Sequence, residues 1–144
     1  MPIRFETRAR ALALQLLYAW DQADEARTDP RPLWAAICAG RVGGGGAVPR
    51  LEERAMGLAE AVVKGGSRLD TILQAAAENW RLERLAVVDR NILRLALAEL
   101  ELGTAPVRVV LDEAIRLARW FGAARSPAFV NGILDRAARE QGWL

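Results

Sequence analysis

Acidic side chains that could carry acid–base or metal chemistry occur in three close pairs along the sequence. They are Glu52 with Glu53, Glu99 with Glu101, and Asp112 with Glu113. Carboxylates at such spacing can serve as general acid and base or hold a hard cation. The chain has no histidine, however, which removes the usual general base near neutral pH, and acid pairs on helix surfaces are ordinarily solvated. We therefore expect a protein that is not an enzyme.

The single cysteine and a glycine-rich stretch are the other features that could bind a metal or a cofactor. Cys38 alone cannot form an intramolecular disulfide, and its apolar surroundings, "LWAAICAG", favour a packing role over metal or nucleophile chemistry. The stretch "GRVGGGGAVPR" matches neither the Walker nor the GxGxxG spacing. We interpret residues 40–49 as a surface loop whose order the sequence leaves open. No metal and no cofactor is expected, and we expect an intracellular, cytoplasmic protein.

Arginine is the residue type best suited to bind a ligand here. All of the 20 basic residues except Lys64 are arginines, and the pI of about 9.3 permits a nucleic-acid partner. Arg4, Arg8 and Arg10 stand at the start of the first predicted helix. Positive charges at a helix N-terminus interact unfavourably with the helix dipole and destabilise the helix by about 0.3–1 kcal/mol each. Because the sequence keeps arginines at this unfavourable position, a functional role for them is favoured. The planar guanidinium donates hydrogen bonds in pairs, which suits phosphate recognition.

The segment around these arginines predicts a deeply buried helix over residues 5–20. Its core face has the spacing i, i+4, i+7 and i+8 at Phe5, Ala9, Leu12, Ala13, Leu16 and Ala19, widened by Leu14 and Leu17. The polar strip that remains passes through Arg4, Arg8, Ala11, Gln15 and Tyr18. We therefore expect a rigid helix from whose first turns the three arginines project.

The same apolar run must also be weighed as a membrane segment or a signal peptide. Ten to twelve apolar residues fall short of the roughly 20 that cross a bilayer. A signal peptide would place small residues at its cleavage site, whereas Trp20 stands there and the acidic "DQADE" follows at once. We expect no membrane association.

The rest of the chain also shows helical periodicity, and 144 residues suit one domain over residues 1–144. Residues 51–77 have a helical pattern in which Gly65-Gly66 is a weak point, and the sequence leaves open whether the helix breaks there. Residues 81–103 are apolar almost all round and predict a central, buried helix. No long segment alternates with period two, so the predicted fold class is all-α, a helical bundle.

Two further helices and the tryptophans complete the pattern. One helix ends at Gly122 with Phe121 on its core face. The last helix begins with Ser126 as its N-cap and Pro127 in the first helical position. We expect Trp20, Trp34 and Trp80 to fill the bundle core or helix ends and not to stack on bases, whereas Trp120 falls on the polar side of its helix.

Four stretches resemble the NusB family of transcription antitermination factors in their order and spacing. They are "RARALALQLLYAWD" (8–21), "VVDRNILRLALAEL" (87–100), "VLDEAIRLARWFG" (110–122) and "SPAFVNGILDRAAR" (126–139). The resemblance covers nearly the whole chain, apart from residues 24–50. It implies a NusB-like all-α fold of two packed three-helix bundles, and a role without catalysis.

The resemblance also implies partners. NusB-like proteins pair with NusE, the small-subunit ribosomal protein that doubles as a transcription factor. The pair binds boxA-type single-stranded RNA in nascent transcripts, mainly those of ribosomal RNA operons. Together with other Nus factors in the elongation complex, it helps RNA polymerase to read through terminators.

Particular residues receive roles from the resemblance. The family's arginine-rich motif falls on Arg8 and Arg10, and its "S..FVNG" motif supplies a serine and a phenylalanine on the RNA side. Arg4 is added because it neighbours this motif, and Arg125 because it stands near a position that is often basic in the family. The residues implied for RNA binding are therefore Arg4, Arg8, Arg10, Arg125, Ser126 and Phe129. The residues implied for NusE binding are Tyr18 and Asp89.

The sequence departs from the family where Phe5, Glu6 and Thr7 replace the basic residues that usually precede the "RAR" unit. Fewer phosphate contacts would lower RNA affinity, since each contributes about 0.7 to the salt dependence of single-strand binding. Two alternatives are therefore kept. One is a homodimeric protein-interaction module with little direct RNA binding. The other is the accessory RNA-binding domain of a ribosomal RNA cytosine methyltransferase, which would require a longer chain.

Overall fold

A computed structural model describes residues 3–23, 29–40 and 49–144 of the chain. Over these residues it contains α-helices and one 3₁₀ turn but no strand, so the all-α prediction is confirmed. The helices are α1 (Phe5–Gln22), α2 (Arg31–Ala39), α3 (Pro49–Ala76), α4 (Val87–Leu102), α5 (Val107–Phe121) and α6 (Ser126–Glu140), and the 3₁₀ turn is Leu82–Arg84. Most of the stretch interpreted as a surface loop, residues 41–48, lies outside the described residues.

The chain divides into two compact units, residues 1–60 and 61–144, and α3 crosses the boundary between them. The first unit contains α1, α2 and the start of α3. The second contains the remainder of α3 and the last three helices. The expectation of one domain over residues 1–144 stays a prediction. Among the described helices, none combines the length and the apolar character that crossing a bilayer requires.

In the first unit, α1 buries the apolar face that its periodicity predicts. Leu12, Leu14, Leu16 and Leu17 are all buried. Phe5 was assigned to the same face, and that prediction is wrong because the side chain is exposed. It is the first residue of the helix, and helical side chains lean towards the N-terminus, so the ring extends beyond the packed turns.

The short helix α2 packs against α1. Trp34 is completely buried, and its indole Nε1 donates a hydrogen bond to the carbonyl oxygen of Leu16 at 3.0 Å. The ring edge of Trp20 meets it with 6.5 Å between centroids. Cys38 is buried as well, which confirms its packing role. These contacts fix the middle of α1, and therefore the position of its two ends.

The glycine pair in α3 does interrupt the helix. Gly66 has φ 46° and ψ −128°, a conformation that side chains rarely adopt, while helical residues continue on both sides. A Cβ on Gly65 would come within 2.5 Å of the Leu69 side chain, so a larger residue there would require Leu69 to move. The question left open by the sequence is thus answered in favour of a break.

In the second unit, α4, α5 and α6 all contact one another. The helix predicted to be central, α4, is buried on nearly every side along its middle, including Leu93, Leu95 and Leu97. Gly103 ends it in the left-handed conformation with φ 66°. The assignment of Phe121 to the core is wrong, because this residue ends α5 and its ring is exposed.

Candidate nucleic-acid interface

The first turns of α1 present two of the three predicted arginines to solvent. Arg4 precedes the helix in an extended conformation, and Arg8 lies one turn further on, its N–H bonded to the Arg4 carbonyl oxygen at 3.0 Å. Both side chains are exposed. Neither guanidinium forms an ion pair with any residue that the structure describes. Two cations one turn apart on a rigid helix are thus available to phosphate groups.

Arg10 does not project with them, and the expectation that it would is wrong. The residue is only 5% exposed. Its position explains this, because Leu14 and Leu17 follow it at i+4 and i+7 and both are buried. The apolar face of α1 is therefore wide enough to include Arg10.

Tyr18 lies on the exposed strip of α1, as predicted, and it is 45% exposed. Ten residues separate it from Arg8, which at 1.5 Å per residue places it about 15 Å further along the helix axis. The arginines and the tyrosine thus occupy different ends of one rigid element. Such an arrangement suits two different partners.

At the start of α6, Arg125 is exposed to solvent and Ser126 is buried. Arg125 is exposed and holds the N-cap position that was predicted for Ser126. Ser126 is buried, and its Oγ accepts a hydrogen bond from the Ala123 N–H at 2.9 Å. A Cβ on Gly122 would come within 2.6 Å of this serine, so the turn is tightly closed. The N-cap prediction was wrong by one residue because Ser126 caps the preceding turn instead of α6.

Phe129 is half-buried, one helical turn after Arg125, and its ring meets that of Trp80. The two centroids are 5.6 Å apart with an interplanar angle of 81°, an edge-to-face contact. Trp80 was expected to fill the core or a helix end, and that prediction is wrong because the residue is 57% exposed. It lies between the end of α3 and the 3₁₀ turn, where no helical face continues. This position in the sequence was the available signal that its ring is exposed.

Asp89 lies in the first turn of α4, where a carboxylate is favourable to the helix dipole. It is half-buried, and its Oδ1 is enclosed without a hydrogen-bond partner among the described residues. Arg90 beside it donates from a terminal nitrogen to the Leu82 carbonyl oxygen at 3.3 Å, while its Nε has no acceptor in the described part of the chain. Buried polar groups normally find partners, so this end of α4 has unused hydrogen-bonding capacity.

A groove of about 550 Å³ adjoins Arg90 and carries further polar side chains from α3 and α4. Its floor includes the ion pair of Arg94 and Asp70, in which two guanidinium nitrogens reach both carboxylate oxygens at 2.7 and 2.9 Å. This pair is satisfied in itself.

Two of the paired carboxylates lie in the interior of the protein. Glu99 and Glu113 are buried and engaged with other groups, so the expectation of solvated surfaces is wrong for these two. Glu113 accepts an ion pair from Arg116 at 3.5 Å. Within residues 3–23, 29–40 and 49–144, no three cysteine or acidic side chains come together in a way that could hold a metal ion.

Comparison with known proteins places this geometry in a family. The model of the NusB family matches residues 7–139. The transcription antitermination protein NusB of Anaeromyxobacter dehalogenans (strain 2CP-1) is 42% identical over 137 residues, covering 92% of this chain and 89% of that protein. The corresponding protein of Solibacter usitatus is 37% identical over 134 residues, covering 92% and 88%.

Solved structures agree with these sequence relatives. T. maritima NusB matches with a TM-score of 0.80 at 32% identity, covering 97% of this chain and 94% of that one. A chain in the crystal structure of the antitermination factors NusB and NusE in complex with double-stranded RNA matches with a TM-score of 0.79 at 25% identity, covering 96% and 99%. The family model, the sequence relatives and the fold lead to the same conclusion: the chain belongs to the NusB family.

Proposed function

We propose that this chain is a transcription antitermination factor that acts with NusE on boxA-type single-stranded RNA. Bound to a nascent transcript, mainly of a ribosomal RNA operon, the pair helps RNA polymerase and other Nus factors to read through terminators. The observation that carries the proposal is the pair of exposed cations, Arg4 and Arg8, at the start of a helix whose apolar face is buried in the core. The relatives are named transcription antitermination proteins, which agrees with the expectation of a role without catalysis.

The proposed RNA contacts come from each of the two units. In the first unit, Arg4 and Arg8 bind phosphate groups, and Arg10 holds their helix in place from inside. In the second unit, Arg125 binds phosphate and Phe129 contributes an aromatic surface. Ser126 acts as a positioning residue, because its hydroxyl closes the turn from which Arg125 extends. Cations that position the backbone and aromatics that meet bases are the usual division of work in single-strand binding.

The proposed NusE contacts are Tyr18 and Asp89. The tyrosine is exposed, and a carboxylate oxygen of Asp89 lacks a partner in the described residues, so both have contact capacity that a second protein can use. The solved complex of NusB and NusE with RNA supports this pairing by analogy. A chain that works on nascent transcripts would act in the bacterial cytoplasm.

Transcription in vitro tests the proposal. A template carries a boxA element upstream of an intrinsic or factor-dependent terminator, and RNA polymerase is supplied with NusE and the other Nus factors. Adding this chain should increase the fraction of full-length transcript, and a template with a scrambled boxA should abolish that increase. Equal readthrough on both templates would contradict the boxA assignment, and no increase on either would contradict the antitermination role.

A further inference from the structure

Trp80 is the most exposed of the large hydrophobic side chains in the described residues, at 57%. Its ring is nevertheless held in place, because it meets Phe129 edge to face with 5.6 Å between centroids. Covering this exposed aromatic surface with a partner would be favourable. The side chain thus has the properties of a contact surface.

The backbone that carries Trp80 is fixed by hydrogen bonds centred on Gln74. The amide nitrogen of Gln74 donates to the carbonyl oxygens of Trp80 and Ala77 at 2.5 and 3.4 Å, and its amide oxygen accepts from the Leu82 N–H at 3.0 Å. The Trp80 N–H donates to the Ala77 carbonyl oxygen at 2.9 Å. A ring held in this way loses little conformational freedom on binding, which favours its use as a rigid platform.

The charges around this ring are favourable to a polyanion. Arg84 follows it in the 3₁₀ turn and Arg125 precedes Phe129 by one helical turn, and both are exposed and form no ion pair with described residues. The nearby carboxylate of Glu78 is neutralised by its ion pair with Arg136. An exposed aromatic ring, with one free cation four residues after it and another one helical turn before its neighbour Phe129, matches a base with its neighbouring phosphates better than it matches an apolar protein surface.

We infer that Trp80 is a stacking platform for one unpaired base of the bound RNA. Phe129 supports the ring from its edge, and Arg84 and Arg125 are placed for the adjoining phosphates. This inference rests on the proposed function, since it extends the RNA surface of the second unit. Stacking does not depend on which base is present, so Trp80 adds affinity without adding sequence preference.

The test measures binding of a short, unstructured, fluorescently labelled RNA with a boxA-like sequence to the full chain, by anisotropy at several salt concentrations. Trp80→Ala should weaken binding about 5- to 150-fold, the range for loss of one stacked base, with an unchanged salt slope. Trp80→Phe should recover most of the affinity because it restores a stacking face. Trp120→Ala is the matched control. Trp120 is an exposed tryptophan of the same unit that is already covered by the Arg116 guanidinium at 5.9 Å, and its loss should change affinity less than twofold.

Three outcomes would overturn the inference. If Trp80→Ala binds like the parent while Arg4→Ala/Arg8→Ala loses affinity, the proposed function stands and the platform does not. If Trp80→Ala weakens only NusE binding, the ring belongs to a protein interface. If the parent chain fails to bind RNA even with NusE, the platform and the proposed RNA function fall together.

A second readout needs no alanine variant, in case Trp80→Ala does not fold. RNA containing 4-thiouridine is photo-crosslinked to the parent chain, and the attached peptide is identified by mass spectrometry. A crosslink at Trp80 supports stacking there. Crosslinks confined to other residues would contradict it.

Discussion

Arg4 and Arg8 are expected to make RNA affinity depend on salt, and their removal should change that dependence by a calculable amount. Each phosphate neutralised on a single strand contributes about 0.7 to the slope of log affinity against log salt. The double variant Arg4→Ala/Arg8→Ala should therefore lower the slope by about 1.4. When salt rises fourfold, for example from about 50 to 200 mM, both proteins lose RNA affinity. The fold-loss of the parent should be roughly seven times that of the double variant.

The same variant should be as stable as the parent. Both side chains are exposed, and neither pairs with an acid among the described residues, so no buried contact is lost. Removing cations from a helix N-terminus also relieves their repulsion with the helix dipole. Circular dichroism and chemical denaturation should therefore give the helix content and unfolding free energy of the parent, which separates loss of binding from loss of structure.

The assay is fluorescence anisotropy of the labelled RNA across the salt range, and two control variants make it specific. Arg31→Ala removes another exposed arginine of the first unit, one that is already paired with Asp29 at 2.7 Å, and it should keep the slope of the parent. Arg10→Ala removes a buried arginine and should lower stability more than it lowers the slope. A parent-like slope in Arg4→Ala/Arg8→Ala would refute the assignment of these two residues to phosphate.

Further variants test the fold and the partner surface. Leu97→Ala, in the centre of α4, should lower the free energy of unfolding by about 2–5 kcal/mol in a urea titration, and parent-like stability would show that the core is misassigned. Gly66→Ala should lower the free energy of unfolding by about 1–3 kcal/mol, because the backbone conformation of Gly66 disfavours a side chain. Gly57 lies in an exposed helical position with open space around it, so Gly57→Ala should raise the free energy of unfolding by about 0.5–1 kcal/mol. Tyr18→Ala and Asp89→Asn should weaken NusE binding in calorimetry while leaving the RNA salt slope of the chain alone unchanged; a changed slope would place them on the RNA side.

Helical periodicity was sufficient to predict the elements, because each buried face repeats over several turns. The exposed strip of α1 and the central position of α4 both follow from spacing alone. Errors occurred at the edges of these patterns. Phe5 and Phe121 stand at helix ends, where a position on the apolar face no longer ensures that other elements cover it. Arg10 stands at the edge of an unusually wide face, where its charge gave a misleading signal.

Trp80 shows why the site was less predictable than the fold. Its exposure depends on the turn between α3 and the 3₁₀ segment, and that turn is set by the side chain of Gln74, six residues earlier. Hydrogen bonds of this kind are tertiary and leave no periodic trace in the sequence. The roles assigned to Tyr18, Asp89 and Phe129 came from the resemblance to NusB, since spacing and composition alone would have left them as surface and core residues.

The most direct test of the central claim is a salt titration of RNA binding with and without saturating NusE. The chain should bind a boxA-like single-stranded RNA, and its affinity should fall as the salt concentration rises. Saturating NusE should increase that affinity. An affinity that NusE does not change, or binding that is equally strong on a scrambled sequence, would contradict the account and leave a NusB-family protein with another role.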